Sequence, residues 1–190
     1  STGKGQQFWI EFDGVYMNSD VWINGQHLGK HPYGYTGFYY DLTPFVNKGE
    51  NIIAVKVDNS LQPNSRWYSG SGIYRHVWLN ITGPVHVAQW GTYITAPKVN
   101  TSSATISVRT TVENHNQGNK NIILRSVVKD GSGKEVANAE TPVLLTSSGK
   151  TDAEQLVEVV YLLLFTFHVS LLNFVFAQST DDAINLAASH

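Results

Sequence analysis

Val21-Trp22-Ile23-Asn24-Gly25-Gln26-His27-Leu28 reads as two short strands joined by a tight turn. An Asn-Gly pair favours positive φ at both turn positions, the backbone that a two-residue hairpin requires. The same pattern extends outward on both sides. Phe8, Ile10 and Phe12 alternate with Gln7, Trp9 and Glu11, and a period of two residues marks a strand with one buried face. Phe38-Tyr39-Tyr40 is a further run, ended by Asp41-Leu42-Thr43-Pro44, where proline sets up a tight or single helical turn. Ile53, Val55 and Val57 point one way, Lys56 and Asp58 the other. Ile73, Arg75, Val77, Leu79 and Ile81 share a face opposite Tyr74, His76 and Trp78. A guanidinium on an apolar face needs a partner, so Arg75 is expected to have one. Trp78, in mid-strand, is expected to pack as core.

Aromatic residues thin out near 91–97, and a domain boundary is placed there. Ala104, Ile106, Val108, Thr110 and Val112 then alternate over a long stretch. Runs at 122–128, 134–139 and 143–145 follow, separated by polar turns such as Asp130-Gly131. Strands at this spacing point to the start of an immunoglobulin-like sandwich.

The 190 residues are 42% hydrophobic and 15% charged, enough apolar material for a core and too little charge for a disordered chain. A net charge of −2 supplies no electrostatic case for nucleic acid. The absence of cysteine excludes disulfides and thiolate metal sites. His27, His31, His76, His86 and His115 have no spacing that points to zinc, so neither metal nor cofactor is expected.

The character of the chain changes after Lys150, beyond which Gly, Pro, Lys and Arg are absent. Residues 159–177 carry no formal charge, a length that could cross a bilayer as a helix. Thr166, His168, Ser170 and Asn173 and the lack of basic or Trp anchors stand against that reading. Three readings of residues 151–190 stay open: a tail foreign to the upstream fold, as after a reading-frame error; buried strands or helix; or a membrane segment.

Three stretches carry a family resemblance. Phe12-Asp13-Gly14-Val15 precedes Val21-Trp22-Ile23-Asn24-Gly25 and Leu28-Gly29; Tyr40-Asp41-Leu42-Thr43 precedes Gly49-Glu50-Asn51 and Ile53-Ala54-Val55. The third and most specific is Ser65-Arg66-Trp67-Tyr68-Ser69-Gly70-Ser71-Gly72-Ile73-Tyr74-Arg75. In order and spacing they resemble the sugar-binding domain of glycoside hydrolase family 2 enzymes of the β-galactosidase type. The resemblance covers about residues 7–96 and weakens to plain sandwich patterning through about residue 145. It implies an all-β chain: a truncated jelly-roll (galactose-binding-like) β-sandwich over 1–96, a partial immunoglobulin-like β-sandwich over 97–150, and an apolar tail over 151–190.

The resemblance also implies what the chain does. Its parent would hydrolyse terminal β-galactosides with retention, and this piece would shape the sugar pocket and hold a catalytic (β/α)₈ barrel. Retaining hydrolysis needs two carboxyl groups about 5–5.5 Å apart, in this family two glutamates on the barrel. The barrel, its Asn-Glu motif and the strands expected before Phe8 are missing, so the chain is expected to be an inactive fragment. Its partners would be a galactoside and the barrel, and its compartment a bacterial cytoplasm or periplasm. The polar segment Asp58 to Tyr68 is the candidate sugar-facing rim, with Asp58, Asn59, Asn64, Ser65, Arg66, Trp67 and Tyr68 as its residues. Amides and carboxylates hydrogen-bond sugar hydroxyls, and aromatic faces cover the C–H side of the ring. By resemblance Asn64, Ser65 and Trp67 stand nearest the sugar. The plain alternative is a long loop packed on a neighbouring domain. Two rival functions are a stand-alone carbohydrate-binding module and a remnant anchored in a membrane through 159–177.

Overall fold

The computed structural model describes residues 5–61 and 69–160, together with the backbone of two short strands at 175–178 and 183–187. Two compact units divide it, Ser1–Gly83 and Pro84–His190.

The first unit contains β1 (Gln7–Phe12), β2 (Val15–Tyr16), β3 (Ser19–Ile23), β4 (Gln26–His31), β5 (Phe38–Asp41), β6 (Ile53–Lys56), β7 (Gly72–Ile73) and β8 (Val77–Thr82). They form antiparallel sheets in the orders β5-β1-β8, β4-β3-β6 and β2-β7. The Asn-Gly turn is as expected: Asn24 has φ 50° and Gly25 φ 83°, and Ile23 pairs with Gln26 across it. Ile10, Phe12 and Phe38 from one sheet meet Val15, Val21, Ile23 and Leu42 in a single core. Phe12 and Phe38 stack with ring centroids 5.0 Å apart. Burying each such side chain stabilises the unit by about 1.5–3 kcal/mol.

Strand β8 corrects two expectations. Its register with β1 is regular, from Gln7↔Thr82 to Phe12↔Val77. Yet Leu79 is 60% exposed and Trp78 47%, and Val77, Ile81 and Arg75 are exposed as well. The physical reason is position: among the described residues β8 is a sheet edge, with one neighbour and an uncovered face. Trp78 is therefore not core; its indole N–H donates to Asp13 Oδ2 at 3.1 Å.

The second unit contains β9 (Val85–Val99), β10 (Ser103–Asn114), β11 (Lys120–Lys129), β12 (Glu135–Leu145), β13 (Gly149–Val160), β14 (Val175–Gln178) and β15 (Ala183–Ala187). Its sheets run β13-β10-β9 and β12-β11-β14-β15. Ile106, Val108, Val112, Ala153 and Val157 from the first sheet pack on Ile122, Leu124, Val128, Val143 and Leu145 from the second, making a β-sandwich. A buried polar clasp crosses between them: Ser126 Oγ donates to Gln155 Oε1 at 2.6 Å, and Gln155 Nε2 donates to the Leu124 and Ala139 carbonyls.

Both expected boundaries move. The units divide between Gly83 and Pro84, ahead of residue 96, because β9 runs through 85–99 as one strand of the second unit. Residues 151–160 lie in β13, which pairs with β10 from Ser103↔Val160 to Asn114↔Gly149. Ala153, Gln155 and Val157 point inward while Asp152, Glu154, Leu156 and Glu158 point out. That stretch is an integral strand of the sandwich, not part of a tail. Most of the 159–177 segment lies outside the described residues. Among those described, no helix is long and apolar enough to cross a membrane.

Candidate functional site

The polar residues of the first two family-like stretches are spent on local structure. Asn24 Nδ2 donates to the Phe45 carbonyl and to Asn51 Oδ1, each at 2.9 Å, and Asn24 Oδ1 accepts from Ile52 N. Asn51 in turn accepts from Asn47 N and donates to the Asn47 and Gly49 carbonyls. These two amides tie the hairpin to the loop before β6. Asp41 Oδ1 accepts from Thr43 N at 2.8 Å and opens the short 3₁₀ turn Thr43–Phe45. A cleft of about 770 Å³ lies between these elements, lined by Phe8, Ile23, Leu42, Val46, Ile53 and Leu79 along with Asn51. Aliphatic side chains share its walls with Asn47, Lys48 and Asn51, of which Asn51 is already engaged in the loop.

The opposite chemistry gathers around β2 and β7. Val15 pairs with Ile73 and Tyr16 with Gly72. Tyr16 meets Tyr35 edge-on at 5.4 Å, and Tyr35 meets Tyr33 at 5.6 Å. Tyr74 reaches across and its hydroxyl donates to the Gly34 carbonyl at 2.7 Å. Two glycines allow these rings to sit close: a Cβ on Gly34 would stand 2.3 Å from the Tyr16 ring, and one on Gly14 2.6 Å from the Tyr74 ring. Tyr33, Tyr35 and Tyr74 remain 51–57% exposed, although the Tyr74 hydroxyl is engaged by Gly34.

Two of the expected rim residues belong to this edge. Asp58 N donates to the Met17 carbonyl, and Asn18 Nδ2 donates to the Asp58 carbonyl at 3.1 Å. The Asp58 carboxylate accepts from Ser60 N. Hydrogen bonds from the Ser60 hydroxyl and backbone N–H hold the Asp58 carboxyl below the usual range. Asn59 Nδ2 donates to Ser71 Oγ at 3.1 Å, bridging the two ends of the loop. Asn64, Ser65, Arg66, Trp67 and Tyr68 lie outside the described residues. The sequence reading missed Tyr16, Tyr33 and Tyr35 as part of this edge; the density of tyrosine from Tyr33 onward was the available signal. Exposed aromatic rings beside amides, a carboxylate and hydroxyls can hold a sugar ring by its apolar side and its hydroxyls together.

A second polar cluster sits at one end of the β13-β10-β9 sheet. His86 on β9 stands opposite Glu113 on β10 in register. Glu113 Oε2 lies 2.9 Å from His115 Nε2 and 3.8 Å from His86 Nε2, and Oε1 pairs with Lys150 Nζ. Burial pushes the Glu113 carboxyl up, but hydrogen bonds from Lys150 and His115 outweigh it and hold the group below its usual value.

Comparison with known proteins bears on the first unit most directly. Residues 2–84 match the sequence model described as "Glycosyl hydrolases family 2, sugar binding domain". The chain is 51% identical over 158 residues to the β-galactosidase BoGH2A of Bacteroides ovatus, covering 83% of this chain and 18% of that protein. A β-glucuronidase of Formosa agariphila is 37% identical over 168 residues, covering 77% of this chain and 17% of that one. Among solved structures, a family 2 glycosyl hydrolase from Bacteroides cellulosilyticus superposes with a TM-score of 0.84 at 37% identity, over 94% of this chain and 25% of that chain. The chain thus spans about a fifth of the length of the curated relatives it matches.

Proposed function

Residues 2–84 belong to the sugar-binding domain of glycosyl hydrolase family 2, and from that premise we propose that this chain is the accessory β-portion of a β-galactosidase-type enzyme. In this reading the first unit is the sugar-binding jelly roll, and the second is the beginning of an immunoglobulin-like domain. The edge built from Tyr33, Tyr35, Tyr74 and Asn59 faces the sugar. The identity to the B. ovatus β-galactosidase carries the choice of galactoside. A glucuronide is the second reading, favoured by the F. agariphila relative.

The chain itself is proposed to be inactive. A retaining mechanism needs two carboxyl groups about 5–5.5 Å apart at one open site. Several described carboxylates are engaged elsewhere: Asp41, Asp58 and Asp130 accept backbone hydrogen bonds in turns, Asp20 pairs with His27, and Glu135 and Glu140 pair with Arg125.

The test is a titration of the chain with galactose and with glucuronate, followed by side-chain NMR of the tyrosine rings and the Asn59 amide, alongside assays with chromogenic β-galactoside and β-glucuronide. Shifts gathered on Tyr33, Tyr35, Tyr74 and Asn59, stronger for galactose and without turnover, are expected. Shifts confined to the Phe8–Leu79 cleft, stronger shifts with glucuronate, or turnover by the purified chain would each overturn the corresponding part of the proposal.

A further inference from the structure

His86, Glu113 and His115 form an unassigned divalent-metal site of zinc type in the second unit; we infer this from their convergence at one end of the β13-β10-β9 sheet. Two imidazole nitrogens and one carboxylate oxygen come together there, all within 4.8 Å of one another. Metal–ligand bonds of about 2.0–2.1 Å in a tetrahedral shell put neighbouring ligand atoms about 3.3 Å apart. The separations of 2.9 and 3.8 Å from Glu113 Oε2 bracket that spacing, and rotation of the imidazole rings would bring the three atoms onto one ion, with water as the fourth ligand.

The fold holds the ligands with little freedom. His86 and Glu113 are cross-strand partners on β9 and β10, with side chains only 1% and 5% exposed. His115 follows β10, and its backbone N–H donates to the Pro84 carbonyl at 2.7 Å. Its ring lies nearly parallel to that of His86, with centroids 5.3 Å apart, and the Nε2 atoms of the two rings lie 2.9 and 3.8 Å from Glu113 Oε2. The His115 side chain is 35% exposed, leaving a solvent side from which a metal and a water ligand can enter.

The donor set selects the ion. Imidazole nitrogen suits zinc and its late first-row neighbours, whereas calcium and magnesium take oxygen shells. A neutral His115 that bears its proton on Nε2 shifts it to Nδ1 when the metal takes that nitrogen. Lys150 stays on Oε1 and leaves Oε2 for the metal. A bound ion would clamp β9, β10 and the segment after β10 together, and binding to the folded chain alone raises stability. This inference is independent of any sugar-binding role of the first unit.

The experiment uses the 190-residue chain, stripped with a chelator and titrated with Co²⁺ and then Zn²⁺ at neutral pH. A single equivalent of Co²⁺ is expected to give the intense visible bands of a four-coordinate site, displaced by Zn²⁺. Zinc at about a hundredfold excess over its dissociation constant should raise the melting temperature by roughly 5 °C or more. The variant His115→Gln, at a partly exposed position that tolerates substitution, should lose at least about tenfold in affinity with unchanged circular dichroism. In the unaltered chain, ¹H–¹⁵N spectra should show Nε2 of both His86 and His115 shifting with Zn²⁺. Absence of saturable binding, binding that survives His115→Gln, or shifts on other histidines such as His27 beside Asp20 would overturn the site.

Discussion

Replacing Gln155 by leucine asks whether residues 151–160 are a working part of the second sandwich. Gln155 lies on β13 with 3% of its surface exposed. Its oxygen accepts from the Ser126 hydroxyl at 2.6 Å, and its amide nitrogen donates toward the Leu124 and Ala139 carbonyls and Thr141 Oγ1 at 3.0–3.2 Å. An amide nitrogen has two protons to share among those three acceptors, so the side chain makes about three full hydrogen bonds, each worth about 1 kcal/mol. Leucine removes them all. It also strands the Ser126 hydroxyl, which is 0% exposed, at a further cost of about 1–3 kcal/mol. The aliphatic group regains about 1 kcal/mol by burial. The net loss is about 3–5 kcal/mol.

Amide hydrogen exchange along β10, β11 and β13 measures this loss inside the second unit directly. Adding Ser126→Ala to Gln155→Leu should recover about 1 kcal/mol, because the stranded hydroxyl goes with it. Leu156→Ala is the control: its side chain is 63% exposed on the opposite face, and the change should stay within about 0.5 kcal/mol. A loss below about 1 kcal/mol for Gln155→Leu, or one no larger than for Leu156→Ala, would refute the placement of this strand in the core.

Other outcomes follow from the first unit. Phe12→Ala should cost about 3–5 kcal/mol, since the ring is 1% exposed, whereas Trp78→Ala on the edge strand should cost about 1 kcal/mol or less by thermal denaturation. Asp58 should titrate below an ordinary aspartate, because Ser60 hydrogen-bonds its charged form. The sign follows: the Asp58–Ser60 contact is intact above the unfolded pKa and is lost as pH falls through the lower folded value. Carboxyl carbon chemical shifts of Asp58 between pH values of about 2 and 6 check this against the free-aspartate value near 3.9.

What was legible in the sequence was local. The hairpin at Asn24-Gly25, the alternation of β1, β6 and β10, and the three family-like stretches each depend on residues within a few positions of one another, where backbone sterics and side-chain period act directly. The role of Asn24 was harder to read, because its partner Asn51 is brought near by the meeting of hairpin and loop. Period two assigned Val77, Leu79 and Ile81 to one face of β8, but a period cannot say whether another layer covers that face. The same limit hid β13: a glutamine at an inward position looks polar until Ser126 and the backbone of β11 and β12 are seen to satisfy it. His86 and Glu113 became neighbours only through the register of β9 on β10. Register and layering are set by the packing of the whole sandwich, because a strand settles where its buried set meets a complementary surface. That surface is built by residues far away in the chain, so tertiary structure alone decided which polar groups were consumed by the fold and which were left together at its edges.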